Sequence, residues 1–256
     1  MLGTVGKASR VLDLFTNASP EWGVTEAALA LGVPRSSAHD LLDTLACTGL
    51  VRRVEGNRYR LGLKLLSLSD TALTSLPVRS AARPVMDALA RKLGAAVHLA
   101  TLEQTEVLYI DKATPASGPR SALSGTGRRL PLHCTAVGKV LLAHQPTGTI
   151  ARTLEQLEMV PITERSVCSV DALRFELAGA RRAGVARDRE GSVRGICCHA
   201  APIIEAGQVT AGISVSVPVD AEQRLGDRYD EIVAAAAARI TRALATTAAA
   251  EARVAV

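Results

Sequence analysis

Aromatic residues are scarce in this sequence: two phenylalanines, three tyrosines and one tryptophan make up 2% of its 256 residues. Proteins that bind single-stranded nucleic acid without sequence preference stack successive bases on aromatic side chains. This mode of binding is therefore not expected for the chain.

Cysteine is also sparse, and its five positions show no CxxC spacing. A disulfide framework normally uses an even number of cysteines, and a structural zinc site uses closely spaced pairs. We therefore expect reduced thiols, with no metal ion and no other cofactor.

Long hydrophobic runs are missing, although 48% of the residues are hydrophobic. The apolar stretch at residues 196–204 is interrupted by His199 and Pro202, and it is shorter than the roughly 20 residues that a membrane-spanning helix needs. The first residues, MLGTVGKASR, lack the apolar core of a secretory signal. The sequence thus predicts a cytoplasmic protein with no membrane partner.

The excess of positive charge is small, at +5, but much of it lies in one segment. Residues 51–64 contain a single acidic residue, Glu55, against five basic residues, which are Arg52, Arg53, Arg58, Arg60 and Lys64. A local cluster of this kind suits the phosphate backbone of DNA.

Around this cluster, the pattern of apolar and turn residues is typical of a winged helix-turn-helix. Apolar residues three and four positions apart predict helices over residues 7–16, over residues 26–31 and between Pro34 and Gly49. Gly32 provides the tight turn between the second and third helices. Two short strands, at residues 50–54 and 58–61, are joined by Glu55-Gly56-Asn57 and form the wing.

The rest of the chain predicts a linker and a second domain. Residues 63–73 look like an amphipathic helix that ends before Pro77. Further helices are expected at residues 84–93, 171–183 and 221–250, and strand pairs at 97–103 with 106–112 and at 196–204 with 209–217. We therefore predict an α+β chain with a DNA-binding domain at 1–62, a helical linker at 63–83 and an effector-binding domain at 84–256.

Several motifs resemble the IclR family of bacterial transcriptional regulators. These are LALGVPRSSAHDLLDTLACTGLVRR and NRYRLGLKLL near the N-terminus, followed by RRLPLHCTAVGKVLLA, ARDREGSVRGICCHAAPI and AGISVSVP. The resemblance implies a winged helix, a helical linker and a GAF-like effector domain in which helices flank an antiparallel sheet. It also implies a homodimer that pairs into a dimer of dimers, and control by a small organic acid.

On this basis we predict a sequence-specific regulator that binds double-stranded operator DNA at the nucleoid, represses rather than activates, and is not an enzyme. The residues expected to face DNA lie on the third helix and the wing: Arg35, Ser36, Ser37, His39, Thr44, Arg53, Arg58 and Arg60. Asp40 departs from the family, which usually has a basic residue there. Its carboxylate would repel phosphate, although it can accept a hydrogen bond from cytosine.

The effector site is predicted between a strand and a helix start. Ser214 and Ser216 lie two apart on a strand and so share one face. A helix beginning near Thr135 offers free N–H groups to a carboxylate. The resemblance places Asp188, Cys198, Ser214 and Ser216 at polar positions of the pocket and Ala136 and Val137 on the facing loop. Apolar lining is expected from Leu130, Leu132 and Ile196.

Two other functions are alternatives to this one. Adjacent Cys197 and Cys198 suggest a thiol-based redox sensor, although neighbours on a strand point to opposite faces. A cysteine-dependent hydrolase of small molecules is the other alternative, but no pair of residues has the spacing of a catalytic triad. Gly138-Lys139 is not a phosphate-binding loop, because His133 stands where that motif needs a glycine.

Overall fold

The computed structural model describes residues 3–115 and 124–254, and the chain divides after Ser75 into two compact units. The first unit contains four helices and a small sheet: α1 (Gly3–Asp13), β1 (Trp22–Gly23), α2 (Val24–Leu31), α3 (Arg35–Cys47), β2 (Val51–Val54), β3 (Arg58–Leu61) and α4 (Lys64–Thr74). The strands are antiparallel in the order β1-β3-β2.

The first three helices of this unit enclose a core together with both wing strands, which contribute Val51 of β2 and Tyr59 of β3. Val11, Phe15, Leu31, Leu42 and Tyr59 are buried together. Gly32 ends α2 in the left-handed conformation at φ 65°, as its position in the sequence predicts. Gly56 and Asn57 also have positive φ, at 74° and 55°, so the predicted tight wing turn is confirmed.

The second unit is built on a six-stranded antiparallel sheet in the order β6-β5-β4-β9-β8-β7. Its strands are β4 (Ala96–Glu103), β5 (Glu106–Ala113), β6 (Arg129–Pro131), β7 (Ala186–Arg189), β8 (Ile196–Glu205) and β9 (Gln208–Pro218). Its helices are α5 (Pro77–Leu93), α6 (Ala136–Ala143), α7 (Thr147–Gln156), α8 (Val170–Ala183) and α9 (Val219–Val254).

Helices cover both faces of this sheet. Helix α6 packs on strands β7, β8 and β9, and α8 packs on α6. On β8, Cys198 borders a cavity near α6, whereas the next residue, His199, bonds through Nδ1 to Asp230 of α9 at 2.7 Å. Since alternate strand residues point to opposite faces, α9 covers the other side of the sheet.

Helix α5 begins earlier than the sequence predicts. The expected start at Pro84 is wrong, because the helix starts at Pro77 and carries Pro84 in its interior. A proline inside a helix removes one backbone hydrogen bond. Burial of four apolar residues offsets this loss; these are Val78, Ala82, Val85 and Met86. Local sequence patterns alone do not reveal this burial.

Helix α9 is the one described helix that is long and apolar enough, by length and composition alone, to cross a membrane, over Val219–Ala250. The sequence prediction did not anticipate this, because the run is rich in alanine and not in large apolar residues. Tyr229, Val233, Ala237 and Ile240 are buried where α9 packs on β8 and β9. The helix therefore supplies core to the second unit.

Candidate functional site

Helix α3 presents a polar surface from the first unit. Buried Ala38, Leu42 and Leu45 fix the helix against the core. The opposite side exposes Arg35, Ser36, His39 and Thr44, with Ser37 half-buried. Asp40 lies on this surface with 81% of its side chain exposed, so this carboxylate remains in solvent.

Arg53 links the wing to α3. Its guanidinium donates to Asp43 at 2.5 Å and to the Tyr59 hydroxyl at 3.2 Å, and Tyr59 also donates to Asp43. Hydrogen bonds from Arg53 and Tyr59 hold the pKa of Asp43 below its usual value. Arg53 therefore positions the wing, and Asp43 partly neutralises its charge.

The other two predicted wing arginines are engaged within the unit. Arg58 donates to both carboxylate oxygens of Glu26, at 3.0 and 2.9 Å, and Arg60 pairs with Glu21. These ion pairs form because β3 pairs with β1. Glu21 directly precedes β1, and Glu26 follows it in the first turn of α2. The sequence predicts that these arginines contact DNA, and in the structure each also pairs with a carboxylate of its own unit while remaining partly exposed.

Two further exposed basic residues of this unit differ from Arg58 and Arg60. Arg35 at the start of α3 and Arg52 on β2 form no ion pair with any residue in the described part of the chain. Arg52 was part of the predicted basic cluster but was not assigned a contact. Among the arginines of α3 and the wing strands, these two are the ones that pair with no described carboxylate.

The second unit contains a cavity of about 260 Å³ between the sheet and the start of α6. It brings together seven of the nine predicted effector residues, which are Leu130, Ala136, Val137, Ile196, Cys198, Ser214 and Ser216. The antiparallel register explains part of this convergence, since Ser216 lies opposite Cys198 on β8 and opposite Ala96 on β4.

The remaining two predicted residues do not line the cavity. Leu132 is fully buried in the core around α6. The Asp188 carboxylate is also buried, where it accepts hydrogen bonds from the N–H groups of Gly191 and Ser192 and from the Ser192 hydroxyl, at 3.0, 3.2 and 2.9 Å. Asp188 thus holds the turn that brings Ser192 to the cavity, and burial raises the pKa of Asp188.

Sequence reasoning missed several polar lining residues, among them His98, Tyr109, Ser124 and Ser192. His98 lies directly opposite Ser214 in the β4–β9 pairing. This pairing joins strands more than a hundred residues apart, so local sequence patterns did not reveal it. The sequence predicted the β4–β5 and β8–β9 strand pairs. It did not predict that the two pairs join through β4 and β9.

His98 is a neutral member of the lining. Its Nε2 lies 2.8 Å from the Ser124 hydroxyl. Burial, with a smaller contribution from Lys112, lowers the pKa of His98 to about 3. The imidazole is therefore uncharged near neutral pH, and its contacts in the lining are the hydrogen bond with Ser124 and the ring contact with Tyr109.

The start of α6 faces the cavity with Thr135, Ala136 and Val137. The Thr135 hydroxyl accepts a hydrogen bond from the Gly138 N–H at 3.0 Å and caps the helix. A helix N-terminus carries a partial positive charge of about half a unit. This end of the cavity is therefore suited to an anionic group.

The two adjacent cysteines lie in environments that suppress thiolate formation. Burial raises the pKa of Cys198 to about 12 and that of Cys197 to about 11. The Cys198 sulfur lies 3.2 Å from the Ser216 hydroxyl, which adds no positive charge. Because the thiolate is the reactive form, neither residue has the environment of a redox sensor or a nucleophile.

We expect iodoacetamide at pH 7.5 to label exposed Cys47 and Cys168 at least about tenfold faster than Cys197 and Cys198, because a thiol that stays protonated is unreactive. Peptide mass spectrometry of native protein measures each rate, with urea-unfolded protein as the control. Equal labelling of Cys198 and Cys47 in the native protein would revive the thiol-sensor hypothesis.

A winged helix-turn-helix unit together with a cavity-bearing unit defines a DNA-binding transcriptional regulator. Two family models match: IclR helix-turn-helix domain over residues 4–55, and bacterial transcriptional regulator IclR C-terminal over residues 70–242. The chain belongs to the IclR family.

Similar proteins agree with this assignment. HTH-type transcriptional regulator XynR of Escherichia coli is 33% identical over 220 residues, covering 84% of this chain and 86% of that protein. The glycerol operon regulatory protein of Streptomyces coelicolor is 34% identical and covers 90% of each chain. An IclR homolog from Microbacterium hydrocarbonoxydans, solved with 4-hydroxybenzoate, is 27% identical with a TM-score of 0.81, covering 95% of this chain and 100% of that one.

Proposed function

We propose that this protein is a cytoplasmic repressor that binds a pseudo-palindromic operator as a dimer and is controlled by a small organic acid. The observation that carries the proposal is the cavity, where a helix start faces the hydroxyl-bearing strand β9. Neutral donors and a helix N-terminus bind a carboxylate without a buried countercharge. The related Microbacterium protein, solved with 4-hydroxybenzoate, supports an acid as the ligand class.

On the DNA side, we propose that the α3 surface enters the major groove. Arg35, Ser36, Ser37, His39 and Thr44 would contact bases and phosphates, and the wing would add Arg52 and Arg53. Arg58 and Arg60 would contribute less, because Glu26 and Glu21 neutralise them.

Dimerisation is supported by the surface of α4. None of its residues is buried. Leu63, which directly precedes the helix, is 69% exposed, and Leu66 and Leu68 within it are 69% and 49% exposed. An isolated helix of 11 residues is marginal in water, so contacts with a second copy would stabilise it. A symmetric dimer also matches two operator half-sites. Pairing of these dimers into a tetramer remains a prediction.

The test uses fluorescence anisotropy with the intergenic DNA beside the protein's own gene, at several salt concentrations. We expect binding at least about 1,000-fold tighter than to random duplex, with affinity that falls as salt rises. Addition of benzoate, 4-hydroxybenzoate, pyruvate or gluconate is then expected to change this affinity for at least one acid. Equal affinity for random duplex would refute operator recognition, and the absence of any acid effect would refute the effector class.

A reporter gene placed behind this DNA separates repression from activation. Repression predicts higher expression in a strain that lacks the regulator. Lower expression in that strain would show activation instead.

A further inference from the structure

Most hydroxyl groups that line the cavity already have partners inside the protein. Ser124 bonds to His98, Ser216 to Cys198 and Ser192 to Asp188, at 2.8, 3.2 and 2.9 Å. The Thr135 hydroxyl caps α6. These groups shape the cavity, but their hydrogen-bonding capacity is partly used.

Two lining hydroxyls differ from the rest. Within residues 3–115 and 124–254, Tyr109 and Ser214 have no side-chain hydrogen bond, although the two residues are only 6% and 3% exposed. Neither hydroxyl is among the fully enclosed polar atoms that lack a partner, so both remain accessible at the cavity. A hydroxyl that faces a cavity and has no partner in the protein is free to form a hydrogen bond to a molecule bound there.

The Tyr109 ring is held in place by its surroundings. It lies on β5 and packs with Val137 and Leu141 of α6 in the core. The His98 ring meets it nearly edge-on, with centroids 5.4 Å apart and planes at 65°, and Ser124 holds His98 in turn. Burial raises the pKa of Tyr109, so the phenol keeps its proton and can donate it in a hydrogen bond.

We propose that Tyr109 is a specificity-determining contact of the effector site, whose hydroxyl donates a hydrogen bond to an oxygen of the bound acid while Ser214 bonds to a second polar atom. The inference rests on the proposed effector function. It selects acids that carry an oxygen within reach of Tyr109 on β5 and a second polar atom within reach of Ser214 on β9. Apolar residues such as Leu130 and Ile196 then pack against the body of the ligand.

The first test needs no ligand. Tyr109→Phe is expected to leave the melting temperature of the full chain unchanged or slightly higher, because it removes a hydroxyl that has no protein partner. Tyr59→Phe is the matched control, since the Tyr59 hydroxyl bonds to Asp43 and Arg53, and it is expected to lower the stability of the first unit. Clear destabilisation by Tyr109→Phe would show a structural role for its hydroxyl and overturn the proposal.

The second test measures affinity by isothermal titration calorimetry with benzoate, 4-hydroxybenzoate, pyruvate and gluconate as probes. For each acid that binds the wild type, Tyr109→Phe is expected to weaken binding at least about tenfold, and Ser214→Ala likewise. Unchanged affinity in Tyr109→Phe would overturn the role of Tyr109 while the effector function stands. Failure of every acid to bind the wild type would instead overturn the proposed effector class, and the Tyr109 contact with it.

Discussion

Replacing Arg35 and Arg52 by alanine removes four positive charges from the dimer, and we expect it to weaken operator binding by at least about 1,000-fold and to lower the number of counterions released on binding by about four. Both guanidinium groups are exposed and lack an ion pair among the described residues, so their full charge is available to DNA. Each lost contact to a base or phosphate costs on the order of 1–3 kcal/mol. Anisotropy across a salt series measures both quantities.

The matched control is Arg58→Ala with Arg60→Ala. This variant removes the same two charges from the same unit, but from side chains that already pair with Glu26 and Glu21. Its loss of operator affinity is therefore expected to be much smaller, about tenfold or less. Equal losses in the two variants would show that total charge governs binding, and that the ion pairs open on DNA.

The winged unit was predicted from the sequence because local chemistry determines most of it. Gly32, Gly56 and Asn57 adopt the left-handed conformations that their residue types favour. Apolar spacing identified the buried side of α3 correctly. The ion pairs of Arg58 and Arg60 were not predictable in this way, since they depend on strand β1, a two-residue strand that carries almost no sequence pattern.

The effector cavity was predicted only in part, for a similar reason. The strand carrying Ser214 and Ser216 and the start of α6 were each recognised locally. The roles of Asp188 and Ser192 depend on a buried turn, in which the carboxylate bonds to backbone and so turns away from the cavity. Tyr109 and His98 reach the site through the β5-β4-β9 strand order, which no local pattern specifies.

Gly138→Ala is expected to destabilise the second unit by about 3 kcal/mol and to abolish acid binding. A Cβ at this position would lie 2.6 Å from both Leu132 Cα and the Thr135 hydroxyl oxygen, so the turn that leads into α6 has to move. Movement of Thr135 removes the helix cap and shifts the N–H groups that face the cavity. Calorimetry should show a melting temperature lower by roughly 6–12 °C for this unit.

Gly179→Ala provides the matched control, because this glycine lies inside α8 and nothing comes within 4 Å of the added Cβ. Alanine there is expected to stabilise the unit by about 0.5–1 kcal/mol and to leave acid binding intact. Operator binding by Gly138→Ala, measured below its melting temperature without acid, tests whether the damage is confined to the second unit. If Gly138→Ala melts like the wild type and still binds acid, the turn at residues 132–135 is not the rigid support of the cavity that its packing indicates.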